Sequence, residues 1–312
     1  MSAANVAAAK EASELGLSAR AMHKSRSNFS LAAHRFMRQK LAVGGLIVTV
    51  GLILVAVLAP WIAPTRYDVV DFAAVNQFPS WKYPFGTDTI GHNELSLIIY
   101  GIRTSLIVGF SAVGVACLIG VPLGLIAGLK GGWVDFVIGR LVDVMTAFPG
   151  ILFAIFLMSV VNSGVAASVF GNQIFKVSFV IGVTSWVTLC RLMRAQVFSL
   201  RDREYITAAR SCGATEFQIG VRHLLPNAVP PMIIAVTLAI PSAIFAEAGL
   251  SFLGVGVNDP LPSLGKMVAD SRQYVQLYWH LGLFPAGAIA LAVLGFAFVG
   301  DGLRDALDPR QN

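Results

Sequence analysis

Residues 202–227 read DREYITAARSCGATEFQIGVRHLLPN, the longest polar interruption between two strongly apolar regions. Asp202 is a candidate N-cap, Ala208 and Ala209 favour the helix behind it, and Gly213 stands where helices end in a left-handed residue. Thr215 and Gln218 have the spacing of a capping box that opens a second helix. Pro226 is expected to mark the stop of that helix. The stretch therefore reads as helix, glycine turn, helix. In a soluble protein such a unit can read DNA, so its flanks decide which partner reaches it.

Those flanks are membrane-like. Of 312 residues, 56% are hydrophobic and only 13% charged, against about 25% charged in a soluble domain. Mean hydropathy is +0.72. Too little polar surface is left to keep the chain in water. Runs near the ~20 residues needed for a helical span fall at 41–63, 105–129, 136–161, 177–192, 228–246 and 281–299. The expected fold is all-α, six transmembrane helices, with residues 1–40 as a tail and 41–312 as the spanning domain. Pro64 closes the first span, Trp61 suits an interface, and Pro149 falls inside the third. The first 40 residues lack the short apolar core and cleavage site of a signal peptide, so the first span is expected to be retained.

An even number of spans puts both termini on one side. With the tail cytoplasmic, 17 of the 23 basic residues lie inside. The outside then holds Arg66, Lys82, Arg103, Lys176, Lys266 and Arg272. This bias places residues 202–227 in the cytoplasm. The acids Asp202, Glu204 and Glu216, on a short element locked between spans, disfavour a nucleic-acid partner.

Several smaller features have two readings each. Residues 1–27 read as a flexible tail. Phe29, Ala32, Ala33, Phe36 and Met37 recur at helical spacing among Arg35, Arg38 and Lys40. They form either an amphipathic surface helix or an early start of the first span. Gly120, Gly124 and Gly128 allow close helix approach, within the chain or with a second subunit, and Pro122 should bend that helix. Ser178, Thr184, Ser185 and Thr188, with Asn162 nearby, either line an aqueous path or bond back to helix carbonyls. Glu247, at the outer end of the fifth span, reads as a functional carboxylate or a hydrated structural one. Cys117, Cys190 and Cys212 read as small core residues.

The absences exclude whole classes. No GxxxxGK[ST] loop occurs, so ATP is not bound here in that manner. The five histidines are scattered without an HExxH helix, no GxSxG elbow appears, and the spans hold no Ser–His or paired-carboxylate set. No catalytic residue, cofactor site or metal site is expected in this chain.

Five stretches together carry a family resemblance. EYITAARSCGATEFQIGVRHLLPN resembles the cytoplasmic "EAA" loop of ATP-binding-cassette importer permeases. Ala208, Ala209, Gly213, Leu225 and Pro226 fall on its pattern, Thr207 occupies the usual Glu position, and His223 the usual Ile. Residues 84–106 (PFGTDTIGHNELSLIIYGIRTSL), 131–149 (GGWVDFVIGRLVDVMTAFP), 247–270 (EAGLSFLGVGVNDPLPSLGKMVAD) and 300–310 (GDGLRDALDPR) look like the dipeptide/oligopeptide subfamily, specifically its second, "C" permease, which nickel importers share. His92 and Asn93 stand where that subfamily usually has Arg-Asp. The resemblance runs from about residue 41 to the C-terminus.

It implies a type I importer permease in a prokaryotic cytoplasmic membrane, paired with a homologous second permease as a heterodimer. Two cytoplasmic ATPase subunits, carrying ATP and magnesium, would dock on the EAA loops, and an extracytoplasmic binding protein would deliver substrate. Docking is then expected at Glu204, Ala208, Ala209 and Gly213, with Arg203 and Arg210 as charge partners. Glu204, one turn before Thr207, stands in for the missing acid. Peptides lead as substrate, followed by nickel or another small solute. A stand-alone secondary transporter or channel would need ion-coupling acids at mid-membrane, and the expected spans lack them.

Overall fold

The computed structural model describes residues 28–163 and 170–307. The expected tail at 1–27 and the basic residue Arg310 lie outside the described residues. Helix α1 (Asn28–Arg38) ends at Gln39, whose extended backbone (φ −90°, ψ 108°) separates it from α2 (Lys40–Val57). The segment before the first span is thus its own helix rather than an early start. A short α3 (Ala59–Ile62) follows, opened by Pro60 in its first turn, where a missing N–H costs nothing.

Helix α4 runs Glu94–Lys130 over 37 residues. It starts inside the expected loop because the Asn93 side chain accepts from the N–H groups of Leu95 and Ser96, at 3.1 and 3.4 Å. At 1.5 Å per residue it is about 55 Å long, well beyond a ~30 Å hydrocarbon core. Its glycine seam meets α7 (Gln173–Leu200). A Cβ at Gly120 would lie 2.5 Å from the Trp186 carbonyl, and one at Gly124 2.5 Å from that of Cys190. The small-residue stripe therefore packs two helices of the same chain.

The expected third span is broken. Helices α5 (Gly132–Ala147) and α6 (Gly150–Val161) bend by 96° across Phe148 and Pro149. Pro149 has no N–H to continue the ladder, and it forces Phe148 into an extended conformation (φ −91°, ψ 138°). Asp135 and Thr146, at opposite ends of α5, reach Arg194 and Arg191 on neighbouring turns of α7, so α5 crosses α7 obliquely.

Helix α10 (Leu225–Phe252), the short α11 (Leu264–Ser271) and α12 (His280–Leu307) complete the bundle. Among the described residues five helices are long and apolar enough to cross a membrane, or six if the bent pair is one span. There are no strands there beyond two isolated bridges, Val70 to His92 and Thr87 to Asn93, which fold the loop before α4. Apolar side chains such as Ile47, Leu118 and Phe156 remain exposed on the helix flanks, as expected where lipid or a second subunit completes the packing. The three cysteines are free. Cys190 is buried and Cys117 half-buried, but Cys212 is exposed at the end of a helix, contrary to its expected place in the core.

Candidate functional site

Residues 202–227 form a braced elbow between α7 and α10. Helix α8 (Glu204–Ser211) opens at Arg203 without a side-chain cap, so Asp202 is not the cap expected of it. The helix closes as a Schellman turn. Ala214 N–H reaches the Ala209 carbonyl at 3.1 Å and Gly213 N–H that of Arg210 at 2.9 Å. Gly213 supplies the required φ of +85°. Thr215 and Gln218 then make the expected capping box, with bonds of 2.9 and 3.3 Å, and open the one-turn α9 (Glu216–Gln218).

Pro226 does not stop this second helix. A π turn at Ile219–Leu224 leads straight into α10, with Leu225 N–H bonded to the Gly220 carbonyl. Pro226 sits in the first turn of α10, and the helical rod continues from Glu216 to Phe252. A π turn spends an extra residue per hydrogen bond and lets proline enter a running helix without a lost donor.

One side of the elbow is anchored and the other is open. Ile206, Ile219 and Leu224 are fully buried beside Met193 and Val197 of α7 and Ala127 of α4. A Cβ on Gly220 would meet Leu129 at 2.7 Å, so the π turn lies against the end of α4. Glu204, Thr207, Ala208 and Gly213 are exposed, and Ala209 is half-buried. The structure thus brings Glu204, Thr207 and Ala208 to one open surface of α8. Arg203 is exposed there too, whereas Arg210 pairs with Glu216 at 3.1 Å and ties α8 to α9. Ile206 follows from none of the sequence motifs; its signal is that it is the one large aliphatic side chain in the helix.

The expected polar path separates into two faces. Ser178 is buried, and its hydroxyl donates to the Ile174 carbonyl at 2.8 Å. Thr184 is half-buried and bonds back to Ile181 at 2.9 Å. Ser185 and Thr188 share an exposed face of α7. Asn162 caps the end of α6 and accepts from Lys176 at 3.2 Å.

Glu247 is not hydrated. It is fully buried, and its carboxyl accepts from Ser105 at 2.7 Å and from Ser251 and Ser263 at 2.8 Å each. Ser105 lies on α4, Ser251 on α10, and Ser263 caps α11. One acid therefore clamps three elements. Ser251 stands one turn after Glu247 on the same helix, whereas Ser105 approaches across 142 positions and is not legible in the sequence. Among the described residues no three His, Cys, Asp or Glu side chains converge as metal ligands.

Comparison with known proteins agrees with this architecture. Residues 120–312 match the family described as binding-protein-dependent transport system inner membrane component. Residues 27–79 match the N-terminal transmembrane domain of oligopeptide transport permease C. The chain is 41% identical to the dipeptide transport system permease protein DppC of Alkalihalophilus pseudofirmus, covering 89% of each chain. It is 38% identical to the oligopeptide transport system permease protein OppC of Bacillus subtilis, over 92% of this chain and 91% of that one. Among solved structures, an inward-facing MetNI methionine ABC transporter chain superposes with TM-score 0.56 at 18% identity. That match covers 68% of this chain and 96% of the other, a likeness of fold.

Proposed function

Because the chain belongs to the family of binding-protein-dependent transport system inner membrane components, we propose that it is the permease subunit of an ATP-driven importer of dipeptides or oligopeptides. The relatives' peptide substrates support that class over nickel or another solute. The observation that carries the reading is the elbow: an open helical surface at Glu204–Ala208, anchored by Ile206 and continuous with α7 and α10. Such an element transmits force without chemistry of its own.

On this reading the chain is a non-catalytic, multi-pass protein of the inner membrane. The 202–227 elbow and both termini face the cytoplasm, supported by the distribution of basic residues. A homologous permease completes the path, and two ATPase subunits holding ATP and magnesium dock on the elbows. An external binding protein delivers the peptide, and no nucleic acid is involved. Closure of the ATPases moves α8, and the rods α7 and α10 convert that movement into a change of access, a two-state shift driven by a ligand bound elsewhere. Ser185 and Thr188, with Asn162 near the far end, are the polar groups offered to the path. Thr184 contributes less, and buried Ser178 serves α7 itself.

The test is uptake of labelled di- and tetrapeptides into vesicles holding the complete transporter. Accumulation should require ATP, both ATPase subunits and the binding protein. Uptake that persists with this chain alone would sink the reading in favour of a secondary transporter. Titrating the binding protein with peptides and with nickel separates the two substrate classes.

A further inference from the structure

At the end of the bundle opposite the elbow, the loop before α4, the first turn of α4 and the α11 segment enclose a cavity of about 680 Å³. That is the size of a small-molecule site. Its wall includes the carboxylates of Asp68, Asp88, Glu94, Asp259 and Asp270. Four of them already have a basic partner. Asp68 pairs with Arg66 at 3.0 Å and Asp88 with His92 at 2.7 Å. Asp259 and Asp270 share Lys266 at 3.2 and 2.7 Å.

Glu94 has none among the described residues. It is 2% exposed, and its Oε1 reaches no hydrogen-bond partner there. An unpaired buried carboxyl costs free energy. Its place in the first turn of α4 returns only a smaller benefit from the helix dipole. The wall residues do not converge as metal ligands among the described residues. A protonated amine offers such a carboxyl three N–H donors, and Lys266 shows an amine held by carboxylates of the same wall. Leu97, Met267 and Tyr274 provide apolar surface for a methylene stem.

We propose that this cavity binds a protonated primary amine, received by Glu94. The amine belongs to a peptide in transit or to a lysine of the external binding protein. These two donors rest on the importer reading; the amine chemistry does not.

The experiment uses the complete transporter in nanodiscs, without nucleotide, titrated calorimetrically with trilysine and separately with the binding protein. Glu94→Gln should weaken at least one of these affinities about tenfold, as expected on removing one charge-assisted hydrogen bond. Loss for trilysine identifies the peptide as the source, and loss for the binding protein alone identifies its lysine. Both affinities unchanged in Glu94→Gln would overturn the proposal. Glu94→Leu provides a second criterion: it should raise the melting temperature while weakening the same binding. A lowered melting temperature with unchanged affinities would make Glu94 structural and equally overturn it. Uptake by the wild-type preparation, measured in parallel, tests the importer reading independently.

Discussion

Ser105 on α4 donates a 2.7 Å hydrogen bond to Oε2 of Glu247 on α10, across 142 positions of sequence. With Ser251 and Ser263 on the other carboxyl oxygen, this bond makes Glu247 the knot between the long helices and α11. Glu247→Ala removes three hydrogen bonds and opens a void, so it should cost about 3 kcal/mol or more. Ser105→Ala should cost about 1 kcal/mol. Melting of the purified complex measures both, and a double-mutant cycle should show coupling of about 1 kcal/mol. Coupling near zero would mean the hydrogen bond is incidental.

Two glycines should respond to different degrees and for different reasons. A Cβ on Gly213 meets nothing within 4 Å, but the φ of +85° is strained for alanine. Gly213→Ala should therefore cost only about 1 kcal/mol, while shifting α8 relative to α9 and reducing ATP-driven uptake several-fold. A Cβ on Gly124 meets the Cys190 carbonyl at 2.5 Å and Met193 at 2.8 Å. Gly124→Ala must push α4 from α7, and should cost about 2–3 kcal/mol with loss of assembled protein. Equal stability of the two variants would contradict this account of the seam.

Local chemistry is legible in the sequence; chemistry between distant segments is not. Gly213 and the Thr215–Gln218 box are written in adjacent residues, and both stand where their types require. Pro226 reads as a stop and is a start, because a proline's meaning depends on its neighbour: after a π turn it begins a helix rather than ending one. Pro149 breaks its span, whereas α4 runs unbroken through Pro122, where Gly120 and Gly124 lie against α7. Composition points to the membrane class and glycine spacing to a close helix contact whose partner it does not name, and no pattern announces that Ser105 will reach Glu247. The family motifs are legible as spelling, and Ile206, which anchors α8, follows from none of them.

Helix α5 should be held in part by the Asp135–Arg194 ion pair. Arg194 grips Asp135 through Nε and Nη2, the latter at 2.6 Å, and stacks on Phe198 with 5.0 Å to the ring centre. The Arg194 side chain is 38% exposed, so solvent screening reduces the pair to about 1 kcal/mol. Asp135→Asn should lower stability by about that amount and free α5, seen as faster hydrogen exchange at 132–147. Unchanged exchange would show that apolar packing alone holds α5.

The loop before α4 should have an acid transition set by Tyr83. The Tyr83 hydroxyl donates to Asp71 at 2.8 Å, and with the Ala73 N–H it holds that carboxyl below the usual carboxylate range. A folded-state value below the unfolded one contributes stability that is complete above about pH 4 and is lost as pH falls through the folded value. In Tyr83→Phe the Asp71 carboxyl should titrate at higher pH, so that the loss is smaller and complete at higher pH. Fluorescence of the exposed Trp81 two residues away reports it, and coincident acid titrations of both proteins would sink the assignment.

The open face of α8 offers a gain-of-function test of the proposed docking role. Thr207 is exposed on α8, one turn after Glu204, and among the described residues neither side chain takes part in an ion pair. If Glu204 supplies the acidic contact that the family places at position 207, Glu204→Lys should reduce co-purification of the ATPase subunits about tenfold, the size of one charge-assisted hydrogen bond. Thr207→Glu in that background should restore several-fold of the loss. It supplies the acid one turn away on the same face without altering the Ile206 anchor. Neither change should disturb melting of the permease, because both side chains point away from the buried cluster. Co-purification unchanged in Glu204→Lys would remove Glu204 from the docking surface. Failure of Thr207→Glu to rescue would show that the ATPase groove is matched to Glu204 alone.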